Sequence, residues 1–217
     1  MECCSRQTGR KQGLFLLLAC RAISSVCPLR GEDRKTQITH KEIALTDRGR
    51  VIVNTGNGKG KTTAALGTAF RALGYGKKVC VIQFLKGKGK YGERLMAEKL
   101  ANLDWFICGK GFVFTKENIE EDRRVALEGF ELAKKQVESD RYDLIILDEI
   151  TYLPLYNFLD VEKIVELVRN KPERLSIIMT GRDAHPRLVE IADTVTAMEP
   201  VKHAYEQGIK AQKGIEF

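Results

Sequence analysis

The sequence has no apolar run long enough to cross a membrane. A spanning helix needs about eighteen continuous apolar residues, and the early run Leu14–Ala19 holds six. It also has no C-x-x-C pair. Of its 6 cysteines, Cys3, Cys4, Cys20 and Cys27 crowd the N-terminus, and only Cys80 and Cys108 lie further on. That spacing excludes a zinc ribbon or a dithiol redox motif and fits reducing, cytoplasmic surroundings better than a disulfide framework. Cys80 sits inside the apolar run Val79–Phe84 and reads as a small buried hydrophobe. The 3 histidines, His40, His185 and His203, have no partners at metal spacing and are expected to be structural or exposed. Internal repeats and low-complexity segments are absent as well.

The formal charge of +7 invites a nucleic-acid reading, which its distribution removes. Residues 1–50 hold ten Lys and Arg against five acidic residues, a net of +5, leaving +2 for the rest. The basicity belongs to the N-terminal stretch, and no nucleic-acid partner is expected. That stretch places Arg6, Arg10 and Lys11 before Leu14–Cys20, a pattern similar to a secretion signal. Its apolar segment falls short of the seven to fifteen residues such a signal needs. A transit peptide is an alternative, since residues up to Leu29 hold Arg and Ser and only Glu2 as an acid. The simplest reading is a leader over residues 1–49, disordered or translated from a start placed too far upstream, ahead of one domain over residues 50–217.

From Arg50 onward, short apolar runs alternate with amphipathic stretches. Strands are expected at Val51–Asn54, Val79–Phe84, Trp105–Cys108, Leu144–Leu147, Ser176–Met179 and Thr194–Ala197. Rich in Val and Ile and apolar on both faces, they read as buried parallel strands. Helices are expected at Lys61–Leu73, closing at Gly74, at Ile119–Val137, and at Val161–Arg169 behind an Asp160 N-cap. Alternation of this kind implies right-handed crossovers and a doubly wound, mostly parallel α/β sheet. A polar tail, Lys202–Phe217, follows the last strand.

Between the first strand and the first helix lies Thr55-Gly56-Asn57-Gly58-Lys59-Gly60-Lys61-Thr62-Thr63. Glycines at 56, 58 and 60 can turn successive N–H groups onto phosphate oxygens, and the helix behind adds its positive end. Lys61 would reach the outer phosphates, and the Thr62 hydroxyl would ligate Mg²⁺. The usual spelling is G-x-x-x-x-G-K-[ST]. Here Thr55 takes the first glycine's place, and the strand-to-helix context with Gly-Lys-Thr compensates. ATP with Mg²⁺ or Mn²⁺ is the expected ligand. Asp148 and Glu149, after the apolar run Leu144–Leu147, would stand at the same sheet edge and complete the Mg²⁺ shell. A plain helix-capping pair is the alternative.

Three further features are open on the residues alone. Arg182, after Thr180-Gly181, is either a phosphate clamp or a surface ion-pair partner. Arg71 is either a phosphate ligand or a solvated helix residue. The loop Gly109–Phe114, with Phe112 and Phe114, either cradles a large flat ligand or packs beneath the long helix.

Several motifs in order resemble those of the ATP:corrinoid adenosyltransferases. They are Thr55–Ala65, Val81–Gly87, Leu147–Tyr152, Thr180–Arg182, Pro200–Tyr205, Gly208–Gln212 and Gly214-Ile215, so the likeness runs from about Arg50 to Phe217. The resemblance implies a P-loop, RecA-like fold. It also implies transfer of the 5′-deoxyadenosyl group of ATP to cobalt(I) of a corrinoid, with release of triphosphate, in cobalamin biosynthesis or salvage. Reduced cobalt is then the nucleophile, and the protein's task is alignment and charge stabilisation. By the same resemblance Gly56, Asn57, Gly58, Lys59, Gly60, Lys61, Thr62 and Thr63 bind the nucleotide, and Thr62 and Glu149 hold the metal with Asp148 behind them. Arg71 and Arg182 contact triphosphate, while Phe112 and Phe114 crowd the corrinoid's lower face. Phe114 stands where the family has Trp, a smaller ring that still excludes water. A homodimer and a separate flavoprotein reductant are implied too.

Other readings of the loop are a small-molecule kinase or ATPase, with Glu149 activating water, a RecA-like nucleic-acid module, and a noncatalytic carrier. The kinase or ATPase is the main alternative, and its product is free phosphate rather than triphosphate. The nucleic-acid module predicts strongly salt-dependent DNA binding.

Overall fold

The computed structural model describes residues 48–85, 87, 89, 91–109, 111 and 119–216. The expected leader lies outside them, apart from its last two residues, as do Phe112 and Phe114. Six strands, β1 (Val51–Thr55), β2 (Val79–Phe84), β3 (Leu103–Cys108), β4 (Leu144–Asp148), β5 (Ser176–Thr180) and β6 (Thr194–Ala197), form one sheet. Its order is β3-β2-β4-β5-β1-β6, and every neighbouring pair is parallel. An all-parallel sheet needs cover on both faces, because each connection crosses over one of them.

Helices α1 (Lys61–Gly74) and α2 (Gly92–Ala97) lie over one face. On the other lie α3 (Ile119–Glu138), α5 (Val161–Arg169) and α6 (Pro186–Glu190), and the short α4 (Tyr152–Leu155) follows β4. Strand alternation divides the core between the two layers. Val79, Val81, Leu144, Ile146 and Ile178 meet Ala65 and Ala69 of α1. Cys80, Ile82, Phe84, Ile145, Leu147, Ile177 and Met179 meet Ala126, Phe130, Ala133, Ile164 and Val168 of the opposite layer. Burying each such aliphatic side chain contributes about 1.5–3 kcal/mol against leaving it exposed. The layers approach closely: a Cβ on Gly129 of α3 would fall 2.6 Å from Cys108 Cβ.

Three details differ from the sequence expectation. The strands are not all buried on both faces, since β6 is an exposed edge along its whole length and β3, the other edge, is half-buried. Gly74 does not close α1. The helix runs through it, and Gly76 at φ 71° ends it, with Gly76 N–H donating to Leu73 O at 2.9 Å and Lys77 N–H to Ala72 O at 3.1 Å. Helices α2, α4 and α6 were not expected, because four to six residues are too few to show a 3.6-residue period. The polar tail contains a 3-10 turn, Ala204–Gln207. The Asp160 cap is present, its side chain accepting from Glu162 N at 2.9 Å. His185 and His203 serve as local caps, accepting through Nδ1 from Arg187 N and Tyr205 N. Among the described residues, no helix is long and apolar enough to cross a membrane.

Candidate functional site

The site is built where the α1-facing series of four strands ends. On each strand the last position of that series turns polar: Ile52 gives way to Asn54, Val81 to Gln83, Ile146 to Asp148 and Ile178 to Thr180. Parallel register puts Asn54 beside Thr180 and Gln83 beside Asp148. All four are buried, with Asp148 and Thr180 0% exposed. A row of buried polar side chains must find partners within the protein: Gln83, Asp148 and Thr180 find one another, and Asn54 Nδ2 donates to Lys61 O at 3.4 Å at the start of α1.

Asp148 is the centre of that row. Its Oδ1 accepts from Thr62 Oγ1 at 2.8 Å and from Thr180 Oγ1 at 2.6 Å, and its Oδ2 accepts from Gln83 Nε2 at 2.9 Å. Thr180 Oγ1 in turn accepts from Glu149 N at 3.0 Å. Glu149 sits at φ 67°, a left-handed conformation that costs a non-glycine residue about 1–3 kcal/mol. This turn points the chain away from the strand directly after Asp148. Beyond it, buried Thr151 donates to Arg182 O at 2.8 Å. Only glycine fits at 181, where φ is 141° and a Cβ would stand 2.0 Å from Thr151 Oγ1. Burial, with the nearby Glu149 charge next in size, pushes the Tyr152 phenol up to about 12.

The glycine loop wraps over the start of α1. Gly56 takes φ 94° and Gly60 φ 113°. Cβ atoms on Gly56 and Gly58 would meet the backbone of Met198 and Glu199 at 2.4 Å and 2.7 Å. That segment holds the loop from outside, with Gly58 N–H donating to Met198 O at 2.7 Å. The first turn of α1 has no side-chain cap and no acidic residue, so its N–H groups and the positive helix end face the strand edge. Lys61 Nζ donates to Gly56 O and Gly58 O, both at 2.7 Å. Burial lowers its pKa first and the Arg182 charge next, while Glu149 and Asp148 pull it back up. Lys61 therefore lies within the field of all three charges.

The structure brings together Gly56, Gly58, Gly60, Lys61, Thr62, Asp148, Glu149 and Arg182, with Asn57 and Thr63 exposed on the loop and first turn. Lys59 points outward, pairing with Glu216 at 2.8 Å. Arg71 is not brought to the cluster. It lies exposed in the last turn of α1, ten residues or about 15 Å along the axis from Lys61. Gln83, Thr180, Thr151 and Met198 were missed as site residues. A polar residue ending an alternating apolar series was the signal for Gln83 and Thr180, whereas nothing local marks Met198.

Fold and site together define a class: an all-parallel α/β protein with a P-loop at the carboxyl ends of its strands. The family model of the ATP:corrinoid adenosyltransferase BtuR/CobO/CobP matches residues 47–217. The chain is 43% identical over 174 residues to the corrinoid adenosyltransferase of Escherichia coli K12, covering 80% of this chain and 88% of that one. It is 40% identical over 174 residues to the corrinoid adenosyltransferase CobA of Salmonella typhimurium, with the same coverage. With the Pseudomonas aeruginosa corrinoid adenosyltransferase it shares 35% over 188 residues, 85% of this chain and 93% of that one. The chain belongs to the ATP:corrinoid adenosyltransferase family.

Proposed function

We propose that this chain transfers the 5′-deoxyadenosyl group of ATP to cobalt(I) of a corrinoid and releases triphosphate. The supporting observation is the convergence, at one sheet edge, of an uncapped helix start, Lys61, Thr62 and the Asp148-Glu149 pair in a chain of this family. A cobalt–carbon bond forms at the ribose 5′ carbon as the bond from that carbon to triphosphate oxygen breaks, and its electron pair leaves with triphosphate. No proton moves, so no general base is needed. In this reading Lys61, the α1 amides and Arg182 stabilise charge growing on the leaving group.

The residues present suit Mg²⁺, or Mn²⁺ in its place. Thr62 and Glu149 offer hard oxygen donors, with Asp148 holding the Thr62 hydroxyl. Among the described residues no group of three His, Cys, Asp or Glu forms a self-sufficient metal site. Mg²⁺ bound with a nucleotide takes its remaining ligands from phosphates and water. When bound, it supplies positive charge beside the triphosphate. Phe112 and Phe114 are proposed to face the corrinoid, on the family resemblance. The same resemblance supports a homodimer, a cytoplasmic location and a separate flavoprotein electron donor.

The test is an anaerobic assay with ATP, Mg²⁺ and chemically reduced cobalamin, following cobalt(I) absorbance and polyphosphate together. A light-sensitive alkylcobalamin with stoichiometric triphosphate is the expected outcome. ADP and phosphate with an unchanged corrinoid spectrum would sink the reading in favour of a kinase or ATPase.

A further inference from the structure

One buried polar residue at the strand ends has no part in the chemistry just described. Gln83 is 5% exposed in a strand otherwise made of Val, Cys, Ile and Phe. A primary amide costs free energy there unless both its ends are matched. Both are: Nε2 donates to Asp148 Oδ2 at 2.9 Å, and Oε1 accepts from the indole N–H of Trp105 at 3.1 Å. The partners leave one orientation for the amide. Reversed, it would set oxygen against carboxylate and NH₂ against N–H. From Trp105 on β3 an unbroken relay thus crosses Gln83 on β2 and Asp148 on β4 to Thr62, the second residue of α1.

The relay has an asymmetric design. Asp148 Oδ1 receives the two hydroxyls, Thr62 and Thr180, while Gln83 holds Oδ2 from the other side. Without Gln83, Oδ2 would lose that donor, and the carboxylate would hold its Oδ1 less firmly against the Thr62 hydroxyl. At the far end Trp105 is half-buried, lining an apolar groove with Leu66 and Met96 between α1 and α2. It is the only tryptophan of the chain.

We propose that Gln83 is a positioning residue for the phosphate site, holding Asp148 so that Thr62 presents its oxygen to Mg²⁺-bound triphosphate, and that Trp105 is coupled to that site through it. The inference rests on the reading that the loop binds ATP with Mg²⁺. It predicts a defect confined to the metal-dependent part of nucleotide binding.

The experiment uses the full chain and two variants. Gln83→Leu removes both hydrogen bonds at similar volume, and Trp105→Phe removes only the indole donor. ATP affinity is measured by calorimetry with Mg²⁺ and with EDTA, alongside tryptophan emission, melting temperature and KM for corrinoid. In the parent chain, Mg²⁺-ATP should bind and shift Trp105 emission. Gln83→Leu should weaken Mg²⁺-ATP binding about tenfold, as loss of a partner behind a metal ligand does. It should leave metal-free ATP binding and corrinoid KM unchanged and abolish the emission shift. Trp105→Phe should show the same selectivity with a smaller loss.

A folded Gln83→Leu chain with parental Mg²⁺-ATP affinity and emission response would overturn the proposal. So would equal losses with and without Mg²⁺ accompanied by a lower melting temperature, which would assign Gln83 to packing. If Gln83→Leu does not fold, Trp105→Phe decides: selective loss of metal-dependent affinity supports the relay, and its absence overturns it. A parent chain that binds no ATP under either condition would remove the reading beneath this inference, a different result from any variant effect.

Discussion

The two faces of the sheet are built from the same strands yet end differently. Toward α3 and α5, the series Cys80-Ile82-Phe84, Ile145-Leu147 and Ile177-Met179 stays apolar to the strand ends. Toward α1, each series ends in a polar residue: Asn54, Gln83, Asp148 or Thr180. One face converts buried area into stability. The other gives up apolar contact at its last position and gains donors and acceptors where α1 starts. The division works because α1 meets the sheet through small residues, Ala65 and Ala69, which bring the helix start down onto the strand ends.

This contrast can be broken from either side. The largest effect on turnover is expected from Lys61→Ala. Removing one preorganised donor of this kind lowers kcat about 10²–10³-fold. Among the described residues Lys61 donates to the loop carbonyls of Gly56 and Gly58, so the melting temperature should barely move. Steady-state triphosphate release and a thermal melt, run side by side, check both halves. If instead the chain unfolds with turnover per folded molecule unchanged, the α1 face would be a second stability face.

Ile145→Ala acts on the opposite face of the strand that carries Asp148. Ile145 is 0% exposed, and its truncation should cost about 2–5 kcal/mol of stability. Turnover and KM for ATP should stay parental at temperatures where the variant is folded. Urea unfolding followed by kinetics measures this, and a large kcat loss in the folded variant would show that the faces are coupled.

The smallest effect lies deep in the α3-facing layer. Burial, with the Asp104 charge second, pushes the Cys80 thiol up from 9.0 to about 12. In the unfolded chain the thiol ionises near its ordinary value, while the folded chain keeps its proton. Titration of Cys80 therefore leaves stability unchanged below about pH 9, and stability is lost as pH rises from there toward 12. Urea midpoints at about pH 8 and 10 should fall more steeply for the parent than for Cys80→Ala. Parallel slopes would show the thiol to be reached by water.

Much of the architecture was legible residue by residue. Six apolar runs and three amphipathic stretches predicted the strands and long helices to within about two residues. The boundaries that moved, such as Gly74 passing inside α1, depend on which glycine adopts a positive φ, and sequence spacing does not reveal that. The phosphate loop was legible because its chemistry is contiguous: three glycines, a lysine and a threonine at a helix start. Half of the site was not contiguous. Met198 closes on Gly56 and Gly58 from the far side of β6, and the Asp148 donors lie 86, 65 and 32 residues away in sequence at Thr62, Gln83 and Thr180.

The sequence by itself determined the α/β alternation, the loop with its Lys61 and Thr62, the acidic pair at the end of β4, and the family resemblance. Each of these is written in short windows where spacing alone dictates the physical outcome. Only the tertiary structure decided that β5 lies between the loop strand and the acidic strand, bringing Thr180 to Asp148, and that β2 lies on the other side of β4, bringing Gln83 and, behind it, Trp105. It also decided that Arg71 ends far down α1 from the loop. The physical reason is register. Which polar strand ends become neighbours depends on strand order and on the close seating of α1, and both are set by burial summed over the whole sheet rather than by any local pattern.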